Sequence, residues 1–421
     1  MIKEIQPAGP VQAKVRVPGS KSLTNRALIC AALANGTSRL TSASDSTDTA
    51  LLCNGLNQLG VLVRKVDNVL VVEGTGGRLY APKFPIPVGN AGTTLRFMLS
   101  LASLATGEVV FEADSRMAER PMTELLDALR MLGVECRAEG IAPRYVVKGG
   151  SLRGGNALMR GDRSSQFLSS LLMAAPYARQ DVVIEVEGML SSIPYIDLTL
   201  DVMQAFGVGV EYFDRKWFRV KSGQTYSPAS YSVEPDASGA SYFLSAAAIL
   251  GGEIVVEGLS RTSRQGDIAF ARLLETMGAF VEEEGGNLRL VSKGALHGID
   301  MDMNSMPDLV PTLAVTALFA SGATRIRNVA HLRFKESDRL EALETELKKL
   351  GANITLHEDG LEIVPAPLHG CLLDTYDDHR LAMSFALIGT KVPGVKIENP
   401  DCVKKSFPGF WKEFEKLYQN K

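Results

Sequence analysis

Cysteine is scarce and scattered in this 421-residue chain: Cys30, Cys53, Cys136, Cys371 and Cys402 lie far apart and never form a C-x-x-C pair. That spacing excludes a disulfide framework and a structural zinc site. Histidine is equally sparse, and His297, His331, His357, His369 and His379 stand at no metal-ligand spacing. Neither sign of charge is in excess, with 45 Lys and Arg against 48 Asp and Glu. The chain therefore has no basic field for nucleic acid, although a local cluster inside a neutral protein still holds a small anion. No apolar run reaches the ~18 residues of a membrane span. The start, Met1-Ile-Lys-Glu-Ile-Gln-Pro, lacks the charged and apolar segments of a signal peptide. These absences lead to the expectation of a soluble cytoplasmic protein, and 45% hydrophobic residues supply cores for two domains or a few.

What is present is a repeat. A bulky apolar residue, a glycine and a small apolar residue recur at Leu59-Gly60-Val61, Leu132-Gly133-Val134, Phe206-Gly207-Val208, Met277-Gly278-Ala279 and Leu350-Gly351-Ala352, the glycines being 73, 74, 71 and 73 residues apart. Each copy follows an amphipathic stretch, such as Thr123 to Leu132, and precedes alternating runs around a turn, such as Val61 to Val72. The pattern predicts a helix ended by glycine and then a β-hairpin. Between these copies lies a second, almost wholly apolar helix, predicted over residues 26–36, 94–107, 166–178, 241–252, 311–322 and 380–389. Helices apolar all round are buried.

After Gly389 the chain has room for one strand and a last helix over residues 408–418, so the hairpin of the sixth unit is missing. The unassigned strands fall in residues 1–17, and the N-terminal segment is expected to complete the last unit. This predicts an α/β chain of two similar domains with three units each: residues 16–234 form one, and residues 1–15 with 235–421 form the other. The crossings near Pro18 to Ser20 and near Glu234 to Asp236 carry proline beside small or polar residues, which suits a hinge for domain closure.

The residues that open each apolar helix are polar, small or charged. They read Pro18-Gly-Ser-Lys-Ser-Leu-Thr-Asn-Arg26, Gly89-Asn-Ala-Gly-Thr-Thr-Leu-Arg96, Asp162-Arg-Ser-Ser-Gln166, Pro235-Asp-Ala-Ser-Gly-Ala-Ser241, Pro307-Asp308 and Tyr376-Asp-Asp-His-Arg380. Helix starts carry unpaired N–H groups and partial positive charge, so Ser, Thr and Asp there serve as caps. Lys21, Arg26, Arg96 and Arg380 oppose that dipole unless an anion joins them, which points to an anion site in a cleft between the domains. A second basic set lies at Ser115-Arg-Met-Ala-Glu-Arg-Pro121, Ser191-Ser-Ile-Pro-Tyr195, His331-Leu-Arg-Phe-Lys-Glu-Ser-Asp-Arg339 and Cys402-Val-Lys-Lys-Ser-Phe-Pro408. Lys335, Glu336 and Arg339 are spaced for one helix turn. Basic residues beside Asp308 and Glu336 suit doubly anionic substrates with acid–base groups. Gly19-Ser-Lys-Ser is no Walker loop, because Ser20 stands directly before Lys21 and Val15 occupies the place of the first glycine.

Taken in order, Pro18-Gly-Ser-Lys-Ser, Gly89-Asn-Ala-Gly-Thr, Glu119-Arg-Pro, Ser164-Ser-Gln-Phe, Pro194-Tyr-Ile-Asp, Asp236-Ala-Ser, Lys335-Glu-Ser-Asp-Arg, Asp378-His-Arg and Lys405-Ser-Phe-Pro resemble the enolpyruvyl-shikimate-phosphate synthases of the enolpyruvyl transferase family. The resemblance spans essentially the whole chain and implies two domains of three βαβαββ units each. It implies transfer of the enolpyruvyl group of phosphoenolpyruvate to the 5-hydroxyl of shikimate 3-phosphate through a tetrahedral intermediate. It also implies a monomer with no metal or organic cofactor and no nucleic-acid or membrane partner. Motif by motif, it assigns Lys21, Ser22, Arg26, Ser164, Ser165, Gln166, Ser192, Asp308 and Lys335 to shikimate 3-phosphate. Lys21, Gly92, Arg120, Gln166, Arg339, Arg380 and Lys405 go to phosphoenolpyruvate, with Asp308 as proton acceptor and Glu336 or Lys21 as proton donor. Thr94, Leu95 and Phe97 depart from the family pattern, as do His331, where asparagine is expected, and Ile193, often a lysine.

The rival reading is the related enolpyruvyl transferase acting on UDP-N-acetylglucosamine. It carries a reactive cysteine in the loop before its Arg-Pro pair, whereas Asp114-Ser-Arg-Met-Ala-Glu119 has none. RNA terminal phosphate cyclase shares the unit type but needs a nucleotide site and a catalytic histidine. A non-enzymatic repeat scaffold would bury charged helix starts with no anion to hold, which is costly.

Overall fold

The computed structural model describes residues 1–140 and 143–419. Gly60, Gly133, Gly207, Gly278 and Gly351 all have φ between +85° and +113°. A helix ends just before each one: Thr47–Gln58, Thr123–Met131, Ile193–Ala205, Ala269–Thr276 and Arg339–Lys349. The N–H after each glycine bonds the carbonyl five positions earlier at 2.9–3.1 Å, as from Val61 to Leu56 and from Ala352 to Leu347. That closure needs a left-handed residue, which glycine adopts without steric cost. The chain then turns into a hairpin, of which Leu62–Val66 with Val69–Thr75 is the first.

The apolar helices run Lys21–Leu33, Gly92–Ala102, Ser165–Ala174, Ala237–Leu250, Val310–Ala317 and His379–Gly389, and nearly all their residues are buried. They begin before the apolar pattern does, because the polar openers form the first turn. Ser164, Asp236 and Asp378 cap theirs by accepting from the N–H of Gln166, Gly239 and Arg380.

Six sheets repeat one plan, a parallel pair extended by antiparallel strands. Ile86–Gly89 lies parallel to Glu108–Ala113, which pairs antiparallel with Arg144–Lys148, and that strand with Cys136–Glu139. Ile2–Glu4 pairs antiparallel with Lys396–Glu398 in the last unit, whose sheet has three strands where the others have four. The expected completion by the N-terminal segment is confined to these residues. Val11–Val15 instead lies parallel to Gly252–Val256, supplying a parallel edge that this sheet would otherwise lack.

Two compact units result, Lys21–Val233 and Met1–Ser20 with Glu234–Lys421. The division falls after Ser20, five residues beyond the expected position, because Gly19 bridges Pro235 and the Ser20 N–H donates to the Glu234 carbonyl at 2.8 Å. Each unit holds three of the six sheets and its own apolar core. No helix among the described residues is long and apolar enough to cross a membrane.

Candidate active site

In the unit that carries both chain ends, the short 3₁₀ turn Pro307–Leu309 sets Asp308 directly before the helix Val310–Ala317. Two guanidiniums meet its carboxylate: Arg339 Nη1 at 3.0 Å from Oδ1 and Arg380 Nη2 at 2.6 Å from Oδ2. Arg339, 1% exposed, also donates to Glu336 Oε2 and to Asp378 Oδ2, each at 2.8 Å. One buried cation thus holds three carboxylates. Burial pushes the Asp308 carboxyl up, but the charges of Arg380, Arg339 and Lys335 outweigh it and hold the group well below the usual carboxylate range. It stays ionised at neutral pH, as a proton acceptor must. Asp267 contrasts with it: buried and hydrogen-bonded by the Ser238 hydroxyl, it is pushed up to about 7 by burial and by the charge of Asp308.

Lys335 and Glu336 do not share a helical turn with Arg339. Asp338 Oδ1 accepts from the N–H groups of Leu340 and Glu341 at 3.1 and 3.0 Å, so it caps the helix and makes Arg339 its first residue. Lys335 and Glu336 precede that cap, after the 3₁₀ turn Ala330–Phe334. His331 is buried within this turn, and burial together with the Lys335 charge lowers it to about 3, leaving a neutral ring. Lys405 ends the 3₁₀ turn Pro400–Lys405, which packs against His379–Gly389.

In the unit Lys21–Val233, Lys21 opens its helix and its Nζ pairs with Asp48 Oδ2 at 3.0 Å. Asp48 escapes sequence reading because an acid in a first turn, two residues after the cap Ser46, is ordinary helix chemistry. Arg26 is 1% exposed. Its Nε donates to Thr199 Oγ1 at 2.7 Å, Nη1 to the Ser22 carbonyl at 2.9 Å and Nη2 to the Tyr195 carbonyl at 3.0 Å, while the group lies 5.3 Å from the Phe97 ring centre. Burial lowers it to about 10. Arg96 donates to Gln166 Oε1 at 2.7 Å and to the Pro121 carbonyl at 3.1 Å. Through these bonds the two arginines also link separate segments of their own unit. Gly92 has a different part: a Cβ there would lie 2.7 Å from Arg120 Nη2, so its bare backbone lets the guanidinium rest on the helix start, where Nη1 donates to Asn90 Oδ1 at 3.1 Å. Ser164 caps the helix Ser165–Ala174, of which Ser165 is the first residue, and Ser192, left-handed at φ +57°, directly precedes the helix Ile193–Ala205.

A family model described as EPSP synthase (3-phosphoshikimate 1-carboxyvinyltransferase) matches residues 5–414. The chain belongs to this family. It is 46% identical over 422 residues to the 3-phosphoshikimate 1-carboxyvinyltransferase of Yersinia pseudotuberculosis serotype O:3 (strain YPIII), covering 99% of this chain and 98% of that protein. The EPSP synthase structure from Acinetobacter baumannii superposes with a TM-score of 0.81 at 28% identity, over 99% of this chain and 98% of that one. The enolpyruvyl transferase NikO from Streptomyces tendae, at 19% identity and a TM-score of 0.79 over 99% and 97%, shares the fold. As in the EPSP synthase fold, each unit is built of βαβαββ repeats.

The cysteines of this EPSP synthase family member are poorly suited to nucleophilic work. Burial pushes the thiols of Cys30 and Cys402 up to about 12 and that of Cys53 up to about 11.

Proposed function

We propose that the protein transfers the enolpyruvyl group of phosphoenolpyruvate to the 5-hydroxyl of shikimate 3-phosphate and releases phosphate, a step of aromatic amino acid biosynthesis. The observation that carries the residue-level reading is Asp308, an ionised carboxylate with arginines at 3.0 and 2.6 Å. Asp308 takes the proton of the attacking hydroxyl as its oxygen bonds C2 of phosphoenolpyruvate, and Glu336 or Lys21 protonates the methylene carbon. The adduct is a tetrahedral intermediate. Loss of a proton from its new methyl group and departure of phosphate restore the double bond. Lys21, Arg120, Arg339, Arg380 and Lys405 offset the phosphate and carboxylate charges, with Gly92 making room for Arg120. Ser22, Arg26, Ser164, Ser165, Ser192 and Lys335 hold shikimate 3-phosphate, and Gln166 contacts both substrates. Every step is a proton transfer or the making or breaking of a C–O bond, and side chains suffice for it.

Anion arrival also changes the base. Once phosphoenolpyruvate draws Arg339 and Arg380 to its own oxygens, Asp308 loses part of its countercharge and becomes a stronger proton acceptor. We further read the protein as a cytoplasmic monomer. The test is phosphate release from phosphoenolpyruvate, which is expected with shikimate 3-phosphate as acceptor and not with the UDP-amino sugar. Release with the nucleotide sugar alone would overturn the assignment.

A further inference from the structure

The segment leading into the helix His379–Gly389 is held by a buried carboxylate that none of these steps uses. Tyr376 and Asp377 have φ of +51° and +53°, a left-handed pair of non-glycine residues just before Asp378. Such a pair persists only where its surroundings hold it. Glu346 does so from the helix Arg339–Lys349, fully buried: Oε1 accepts from the Tyr376 hydroxyl at 2.8 Å and Oε2 from the Asp374 N–H at 3.0 Å. Lys349 Nζ reaches the two carboxylate oxygens at 2.7 and 2.8 Å. Asp374 Oδ1 accepts in turn from the Tyr376 N–H at 2.8 Å, and Asn399 Nδ2 donates to Asp377 Oδ1 at 2.9 Å.

Glu346 lies two helical turns after Arg339, on the same side of one helix. Arg339 binds Asp378 at 2.8 Å, and Glu346 binds Asp374 and Tyr376. The helix grips the segment at two points about 10 Å apart along its axis. A segment held at two points does not swivel about either. Arg380 follows directly and reaches Asp308 at 2.6 Å.

We propose that Glu346, together with Tyr376, is a positioning residue that fixes the Arg380 guanidinium for phosphoenolpyruvate. The inference rests on the assignment of Arg380 to that substrate. Steady-state kinetics of Glu346→Gln and Tyr376→Phe test it, with Arg380→Ala alongside. Glutamine keeps the shape but gives up the Lys349 charge pair and one acceptor oxygen, so KM for phosphoenolpyruvate should rise about tenfold, while Tyr376→Phe should raise it about threefold. KM for shikimate 3-phosphate should stay within about twofold in each, and Glu346→Gln should add little once Arg380 is alanine. If Arg380→Ala raises KM for phosphoenolpyruvate while the other two variants lower only the melting temperature, Glu346 is a structural residue and the proposal fails. If Arg380→Ala leaves that KM unchanged, the Arg380 assignment falls and the proposal with it. Should Glu346→Gln not fold, Tyr376→Phe, lacking a single oxygen atom, decides.

Discussion

In the unit Lys21–Val233 the buried arginines rest on neutral oxygens, Arg26 on Thr199 and on the carbonyls of Ser22 and Tyr195, Arg96 on Gln166 and the Pro121 carbonyl. In the other unit Arg339 and Arg380 rest on the carboxylates of Asp308, Glu336 and Asp378. A neutral acceptor holds a guanidinium without changing charge. A carboxylate holds it with a charge that an incoming anion competes for and a proton cancels. The first arrangement suits a fixed frame, the second a set of charges that re-pair when an anion arrives.

The contrast breaks most severely at Arg339. Arg339→Ala leaves three carboxylates without their shared cation, and removing one partner from a buried ion pair typically costs about 3–5 kcal/mol; urea unfolding should register a loss of that size, along with activity. A loss below ~1 kcal/mol would mean that the cluster is as solvated as a surface pair. Asp308→Asn comes next. It should keep the fold and lower turnover by roughly 100-fold or more, the usual worth of a positioned acid or base. Near-normal turnover would remove Asp308 from the mechanism.

Asp267 shows the same difference through its response to pH. Its carboxyl lies at about 7 in the folded protein against 3.8 as the ordinary value. Below pH ~4 both states keep the proton; between there and pH ~7 the unfolded chain releases it first, so the group subtracts stability as the pH rises. Asp267→Asn should therefore stabilise the protein by roughly 4 kcal/mol at pH 8 and by less than about 1 kcal/mol at pH 4. A pH-independent difference in melting temperature would contradict this. The smallest effect on turnover is expected for the cysteines. Replacing all five of them by Ser or Ala should lower stability by up to a few kcal/mol at buried sites and leave turnover of the folded enzyme intact. A single Cys→Ser change that abolished turnover in a stably folded variant would revive the nucleotide-sugar reading.

The repeat is legible in the sequence because a position that must be left-handed leaves a glycine every 71 to 74 residues. The six buried helices are legible too, since burial demands apolar runs, but their starts are not, because caps are polar. Motif residues of the site can be named by resemblance; the groups that hold them cannot. Lys21 meets Asp48 across 27 positions and Arg26 meets Thr199 across 173, and no local pattern encodes such pairings. Lys335 and Glu336 show how spacing misleads: their distances from Arg339 fit a helix turn, yet Asp338 caps the helix so that it starts at Arg339, after them. Val11–Val15 misleads differently, for its alternation marks a strand without naming its neighbour.

That strand also sets an order of events during synthesis. Val11 leaves the ribosome 241 residues before Gly252, its register partner. At roughly 5–20 residues per second the wait is on the order of 10–50 s. Meanwhile Lys21–Val233, whose core and three sheets lie in one continuous stretch, is complete before the partner strand is made. The nascent chain therefore carries an unmatched N-terminal strand alongside a finished half. Exposed Gln12 and Lys14, alternating with Val11, Ala13 and Val15, make that strand a poor template for neighbouring chains until its own partner emerges.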